Sequence, residues 1–226
     1  AFKIKEWQEI KSSDSWNIFK IMAEFVEGYE TLARIGPCVS IFGSARTKPG
    51  HPNYEMAIEL ARKLSEQGLG VITGGGPGIM EAANRGAQLG HGKSVGLNIN
   101  LPFEQQANDY IDTDKLINFN FFFVRKVMFM KYAQGFIVLP GGFGTLDELF
   151  EALTLVQTEK TANFPIILIG KEFWSGMIDW IKQVMLDTEK NVSPEDMDLF
   201  TLVDTPDEAV EAILNFYTKY SMGINF

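Results

Sequence analysis

Three short segments pair glycine with small polar residues: Gly43-Ser44-Ala45-Arg46, Gly74-Gly75-Gly76-Pro77-Gly78 and Pro140-Gly141-Gly142-Phe143-Gly144-Thr145. Glycine lets a backbone come close to a ligand, and a helix starting behind such a turn offers free N–H groups to an anion. One glycine-rich turn is ordinary turn chemistry. Three, each after an apolar run, point to a ligand that carries phosphate, with Gly43, Ser44, Gly75, Gly76, Gly141, Gly142, Phe143, Gly144 and Thr145 as its expected contacts. The dinucleotide fingerprint G-x-G-x-x-G fails at its third position, where Ile79 follows Gly74 and Gly76, and Asp147 follows Gly142 and Gly144. Gly92-Lys93-Ser94 has the ending of a P-loop, but Ala87 stands where the first glycine belongs. A mononucleotide or a sugar phosphate remains.

Ionisable residues flank these turns. Thr145-Leu146-Asp147-Glu148 sets a carboxylate one turn beyond the third glycine segment, beside the place of a bound sugar phosphate. The same T-x-x-E pattern is a capping box. Thr205-Pro206-Asp207-Glu208 and Ser193-Pro194-Glu195-Asp196 also read as helix starts, with no glycine segment before them. Glu151 lies one turn further and farther from the ligand. Phe122-Phe123-Val124-Arg125-Lys126-Val127-Met128 puts two cations among aromatics. Either they bind an anion, since cations in so apolar a stretch need a partner, or they form the solvated edge of a core helix. Glu81 follows the second glycine segment, as a ligand contact or as a partner of the helix dipole. His51 and His91 read as surface residues in turns.

These residues need a scaffold, and the hydrophobic pattern supplies one. Val39–Phe42, Val71–Thr73, Ser94–Ile99, Phe136–Leu139 and Pro165–Ile169 are short apolar strands. Helical stripes over Tyr54–Gln67, Ile79–Leu89, Phe121–Ala133, Thr145–Thr158, Phe173–Leu186 and Thr205–Tyr217 alternate with them. Fully apolar strands between helices mean a sheet covered on both faces. The expected fold is α/β, a Rossmann-like three-layer α/β/α with a mainly parallel sheet. Ligands of such sheets sit at the carboxyl ends of the strands, near a switch in strand order, where all three glycine segments fall. Residues 1–35 differ. They carry Trp7, Trp16, Phe19 and Phe25, and Asp14 or Ser15 is placed to cap a helix running to about Arg34 before Gly36-Pro37 stops it. The expected organisation is a helical extension over 1–35 and a single domain over 36–226.

The 226 residues hold 20 Lys and Arg against 29 Asp and Glu, a net charge of -9. That disfavours nucleic acid as a partner. No apolar run approaches the length of a bilayer span, so a cytoplasmic protein with no membrane partner is expected. Cys38 is the single cysteine and the histidines number two, which disfavours a cysteine cluster or a multi-histidine zinc site; no metal and no cofactor are expected. A compact chain of 25.3 kDa exposes roughly 10,000 Å².

The segments at 74–80, 125–128 and 140–148 resemble the signatures of the Lonely Guy family: a G-G-G loop, an R-K-x-x-M helix and a P-G-G-x-G-T-x-x-E loop. The resemblance covers residues 37–217. It implies a Rossmann-type phosphoribohydrolase that cleaves the N-glycosidic bond of a nucleoside 5′-monophosphate, AMP or a cytokinin riboside monophosphate, to free base and ribose 5-phosphate. It further implies Arg125 and Glu148 as the catalytic pair, with Lys126, the segment Gly142 to Thr145, and Thr154 contacting substrate. An acidic residue precedes the R-K helix in the family, and Glu104 is the nearest here. Members are often labelled possible lysine decarboxylases, yet no lysine context for pyridoxal phosphate is evident in the chain. Plant-type members carry T-W-A-Q and K-P where this chain has Thr154-Leu155-Val156-Gln157 and Phe164-Pro165, and short members lack residues 1–35. The chain resembles the longer bacterial branch, which implies a homo-oligomer, a dimer or larger, with the extension strengthening assembly.

Glycosidic cleavage passes through an oxocarbenium-like transition state. Glu148 is suited to stabilise it and to activate water, Arg125 to orient Glu148 and the nucleotide, and the backbone from Gly142 to Thr145 to hold the 5′-phosphate. The alternative is a binding protein of the same fold, a nucleotide binder or a molybdenum-cofactor carrier, which has no need of an Arg125–Glu148 pair.

Overall fold

The computed structural model describes residues 7–101 and 106–226, with side chains from residue 15 onward. The strands are β1 Cys38–Phe42, β2 Gly70–Thr73, β3 Ser94–Ile99, β4 Leu116–Phe119, β5 Ala133–Val138, β6 Ile166–Ile169 and β7 Thr201–Val203. The helices are α1 Trp7–Leu32, α2 Pro52–Glu66, α3 Ile79–Leu89, α4 Phe122–Tyr132, α5 Phe143–Gln157, α6 Lys171–Trp180 and α7 Pro206–Tyr217. The strands form one seven-stranded sheet in the order β4-β3-β2-β1-β5-β6-β7, and every pairing is parallel.

The apolar runs explain the layers. β1, β2, β3, β5 and β6 are buried along their whole length, as strands must be when helices cover both faces. Alternate residues of β1 serve opposite cores. Val39 and Ile41 face a cluster with α2, α3 and α7, whereas Cys38 and Phe42 face one with α4, α5 and α6.

Three expectations change. The strands β4 and β7 went unanticipated because both are short edge strands, partly exposed, so neither presents a continuous apolar run. The first helix does not start at Asp14 or Ser15; α1 begins at Trp7 and passes through both. Finally, α6 does not run as one α-helix to Leu186 but widens into a π-helical stretch over Ile181–Thr188.

Topology creates the crevice. From β1 the chain steps outward through β2, β3 and β4, then returns across β1 to place β5 on its other side. The strand order therefore switches between β1 and β5, whose last residues, Phe42 and Val138, pair directly. In open parallel sheets this is where ligands bind.

Candidate active site

A cavity of about 870 Å³ opens over that switch. Its lining includes Gly43 and Ser44 after β1, Gly74 after β2, and Pro140 to Leu146 after β5, together with Arg125 and Glu148. The glycine segments are fastened to each other through backbone. Ser44 N donates to Pro140 O at 3.1 Å, and Ile79 N donates to Ser44 O at 3.0 Å. At Gly78, φ is +72° and a Cβ would collide with the Ser44 carbonyl, so only glycine lets these two loops meet. Gly142 and Gly144 are different. Among the described residues, no atom beyond the adjoining backbone lies within 4 Å of where their Cβ atoms would stand. Packing does not require glycine there; what its absence of side chain leaves open is the first turn of α5, whose leading N–H groups have no partner within the helix.

The T-x-x-E ambiguity is resolved by this turn. Thr205 with Glu208, and Ser193 with Asp196, do form reciprocal capping boxes. At α5 the N-cap is Gly142, with no side-chain cap. Glu148 instead lies in the second turn, points inward, and is 3% exposed. Arg125, one turn into α4, comes to meet it: Nη2 lies 3.9 Å from Glu148 Oε1. The two attract without bonding directly, and Arg125 Nε and Glu148 Oε2 are buried with no hydrogen-bond partner among the described residues. Buried polar atoms of this kind carry a cost unless something pairs with them, and at a cavity wall that something is a ligand. The guanidinium also lies over the rings of Phe122 and Phe129, at 5.1 and 5.7 Å.

Burial dominates the electrostatics. It pushes the Glu148 carboxyl up to about 7, against the downward pull of Arg125 and Lys126. It also lowers the Arg125 guanidinium from its ordinary value, against the opposing field of Glu148. A carboxyl titrating near neutrality in a cavity is suited to proton transfer.

The remaining expected contacts separate into two groups. Gly43, Ser44, Gly141, Gly142, Phe143, Gly144 and Thr145 line the cavity with Arg125 and Glu148. Gly75, Gly76, Glu81, Lys126 and Thr154 do not. Gly75 and Gly76 face Asn108, whose side-chain amide donates to both carbonyls at 3.1 and 3.0 Å. Glu81 accepts from Tyr54 Oη at 2.9 Å. Lys126 turns to the outer side of α5, bonding Asp147 at 2.8 Å and Glu151 at 2.9 Å. The Thr154 hydroxyl donates to Phe150 O at 2.7 Å. Glu104 lies outside the described residues. The cavity also recruits Arg46, Thr47, His51, Asn53 and Phe173, which the sequence reading did not assign. His51 is exposed, as expected of a turn residue, but its ring caps α2 by accepting from Asn53 N at 3.1 Å. The H-P-N start of that helix was the available signal.

Among the described residues, no helix is long and apolar enough to cross a membrane, and no cluster of His, Cys, Asp or Glu is arranged to hold a metal ion.

The chain is similar to known proteins. The family described as "Possible lysine decarboxylase" matches residues 80–213. The chain is 32% identical over 160 residues to the cytokinin riboside 5′-monophosphate phosphoribohydrolase of Mycobacterium tuberculosis, covering 70% of this chain and 83% of that one. It is 30% identical over 127 residues to the pyrimidine/purine nucleotide 5′-monophosphate nucleosidase of Escherichia coli, covering 52% of this chain and 28% of that one. Among solved structures, the molybdenum cofactor binding protein of Rippkaea orientalis superposes with a TM-score of 0.59 at 22% identity, covering 80% of this chain and 96% of that one. That last likeness is one of fold.

Proposed function

The chain belongs to the possible lysine decarboxylase family and is similar to a named phosphoribohydrolase and a named nucleosidase, and from that premise we propose that it hydrolyses the N-glycosidic bond of a nucleoside 5′-monophosphate. AMP or a cytokinin riboside 5′-monophosphate is the substrate class; free base and ribose 5-phosphate are the products. The observation that carries this reading is the buried Arg125–Glu148 pair beside the open first turn of α5. The 5′-phosphate rests on the leading N–H groups of that helix, which places the ribose toward Glu148. As the C1′–N bond breaks, positive charge develops on the ribose ring. Ionised Glu148 stabilises that charge and takes a proton from the attacking water, whose oxygen bonds to C1′. The departing base takes up a proton in turn. Arg125 holds Glu148 toward its ionised form and offers its free Nε–H to the substrate.

A pyridoxal-dependent decarboxylase needs a lysine to form the Schiff base. No lysine is among the described residues lining the cavity, so these residues do not fit that cofactor. The carrier reading is supported by fold likeness alone and gives the buried pair no task.

Chromatography of AMP and adenosine incubated with the protein is the direct test. Adenine and ribose 5-phosphate should appear from AMP, and adenosine should be turned over far more slowly because it lacks the group the α5 terminus holds. Equal rates would contradict the phosphate site.

The same reading includes a cytoplasmic setting and a homo-oligomer. Along α1, Trp16, Phe19, Met22 and Val26 are 71, 62, 56 and 54% exposed, an apolar stripe of the kind that marks an interface. Light scattering should give at least a dimer for the full chain and a smaller species for Trp16→Glu with Phe19→Glu. A monomeric, fully active chain would remove the idea.

A further inference from the structure

The helix that carries Arg125 does not close its own ends. The N-cap position of α4 is Phe121, which makes no side-chain cap, and at the other end the helix passes directly into β5 at Ala133 without a terminating glycine. Both ends are closed from distant parts of the chain. Glu24 of α1 accepts from Asn120 N at 3.0 Å, Asn120 Nδ2 at 2.7 Å and Phe121 N at 3.3 Å. Its side chain is almost wholly buried and lies where the helix dipole favours negative charge. At the far end, Asn225 Nδ2 donates to Met130 O at 2.6 Å and Ala133 O at 2.7 Å, and Asn225 N donates to Lys131 O at 3.1 Å. These carbonyls sit where helix gives way to strand and the regular ladder ends. Between the clamps, α1 approaches α4 so closely that a Cβ at Gly28 would come within 2.8 Å of Met128 Sδ. Glu24 and Asn225 both lie outside residues 80–213 that the family matches.

We propose that Glu24 and Asn225 are positioning residues for the hydrolysis, clamping the two ends of α4 and so setting Arg125 against Glu148. This rests on the reading of that pair as catalytic. Val124, Met128, Phe129 and Met130 seat the inner face of α4 in the core, and the two clamps fix its ends. The guanidinium makes no hydrogen bond to Glu148 at 3.9 Å, and the rings it lies over, Phe122 and Phe129, belong to α4 itself. Arg125 therefore goes where the helix goes, and it sits one turn from the end that Glu24 holds.

The test is steady-state AMP hydrolysis by the full chain and by Glu24→Gln and Asn225→Ala, each also in an Arg125→Lys background. Glu24→Gln keeps size and one acceptor oxygen but turns a donor toward a backbone N–H. In the native background kcat should fall about 10- to 100-fold with KM nearly unchanged, the scale of a misplacement of about 1 Å. In the Arg125→Lys background the same substitutions should cost less than about threefold, because residues acting through one group are not additive. Glu24→Asp should recover part of the loss, and it carries the comparison should Glu24→Gln melt below the assay temperature. Unchanged kcat in both clamp variants, or equal losses in both backgrounds, overturns the proposal. A native chain that leaves AMP intact would instead sink the catalytic reading beneath it.

Discussion

Replacing Glu148 by glutamine should abolish nearly all turnover of AMP while leaving the nucleotide bound and the chain folded. Glutamine keeps the shape of the side chain but can neither stabilise an oxocarbenium charge nor take a proton, and loss of general-base assistance alone costs about 10²- to 10⁴-fold. Stability should move the other way. Burial holds the folded-state carboxyl near 7, above its ordinary value of 4.5. A carboxyl raised in this way favours the folded state at low pH, and that benefit is lost as pH climbs from about 4.5 through 7. The glutamine variant has no charge to bury, so its melting temperature relative to the native chain should rise between pH 5 and pH 8. Glu208 supplies the control. It is a genuine capping residue, bonded to Thr205 N at 3.0 Å, so Glu208→Gln should lower the melting temperature modestly and leave turnover alone. A Glu148→Gln variant with native activity would show that the carboxylate does no chemistry.

How far the sequence reached is clearest at three places. Strands buried on both faces announce themselves as unbroken apolar runs, which is why β1, β2, β3, β5 and β6 were legible. The edge strand β4 was not, because Asn118 is exposed within Leu116–Phe119 and breaks the run. Arg125 and Lys126 adjoin in sequence, and no local pattern distinguishes them. About 100° of helical rotation sends one into the cavity and the other to Asp147 and Glu151, a division that only the packing of α4 on α5 decides. Glu148 was read as a charge-stabilising general base or as a cap; the helix start at Phe143, not at Thr145, takes it out of the cap position. Contacts between distant segments were the least legible. Glu24 and Asn225 have nothing in their local sequence that points to the ends of α4, since their partners, backbone groups and the Asn120 side chain, lie more than 90 residues away.

Arg125 should govern when Glu148 is active as much as whether it is. Its charge is the strongest pull lowering the Glu148 carboxyl against burial. Removing it, as in Arg125→Leu, leaves a buried carboxyl with less to offset desolvation, so its pKa rises above 7. A general base works only when ionised, so kcat/KM in the native chain should climb with pH and level off above about 7. In Arg125→Leu that limb should shift to higher pH. Activity at pH 7 should fall about 10²- to 10³-fold, the usual cost of removing one preorganised electrostatic group, and part of it should return as pH is raised. Arg125→Lys keeps the charge but loses the planar fork, so its limb should stay closer to the native one while its plateau drops. Rate profiles of the three proteins from pH 5 to pH 9 make the comparison. A native profile that falls through 7 would reassign Glu148 as the acid that protonates the leaving base. A limb that does not move in Arg125→Leu would mean that Arg125 serves the substrate alone, without tuning the carboxyl beside it.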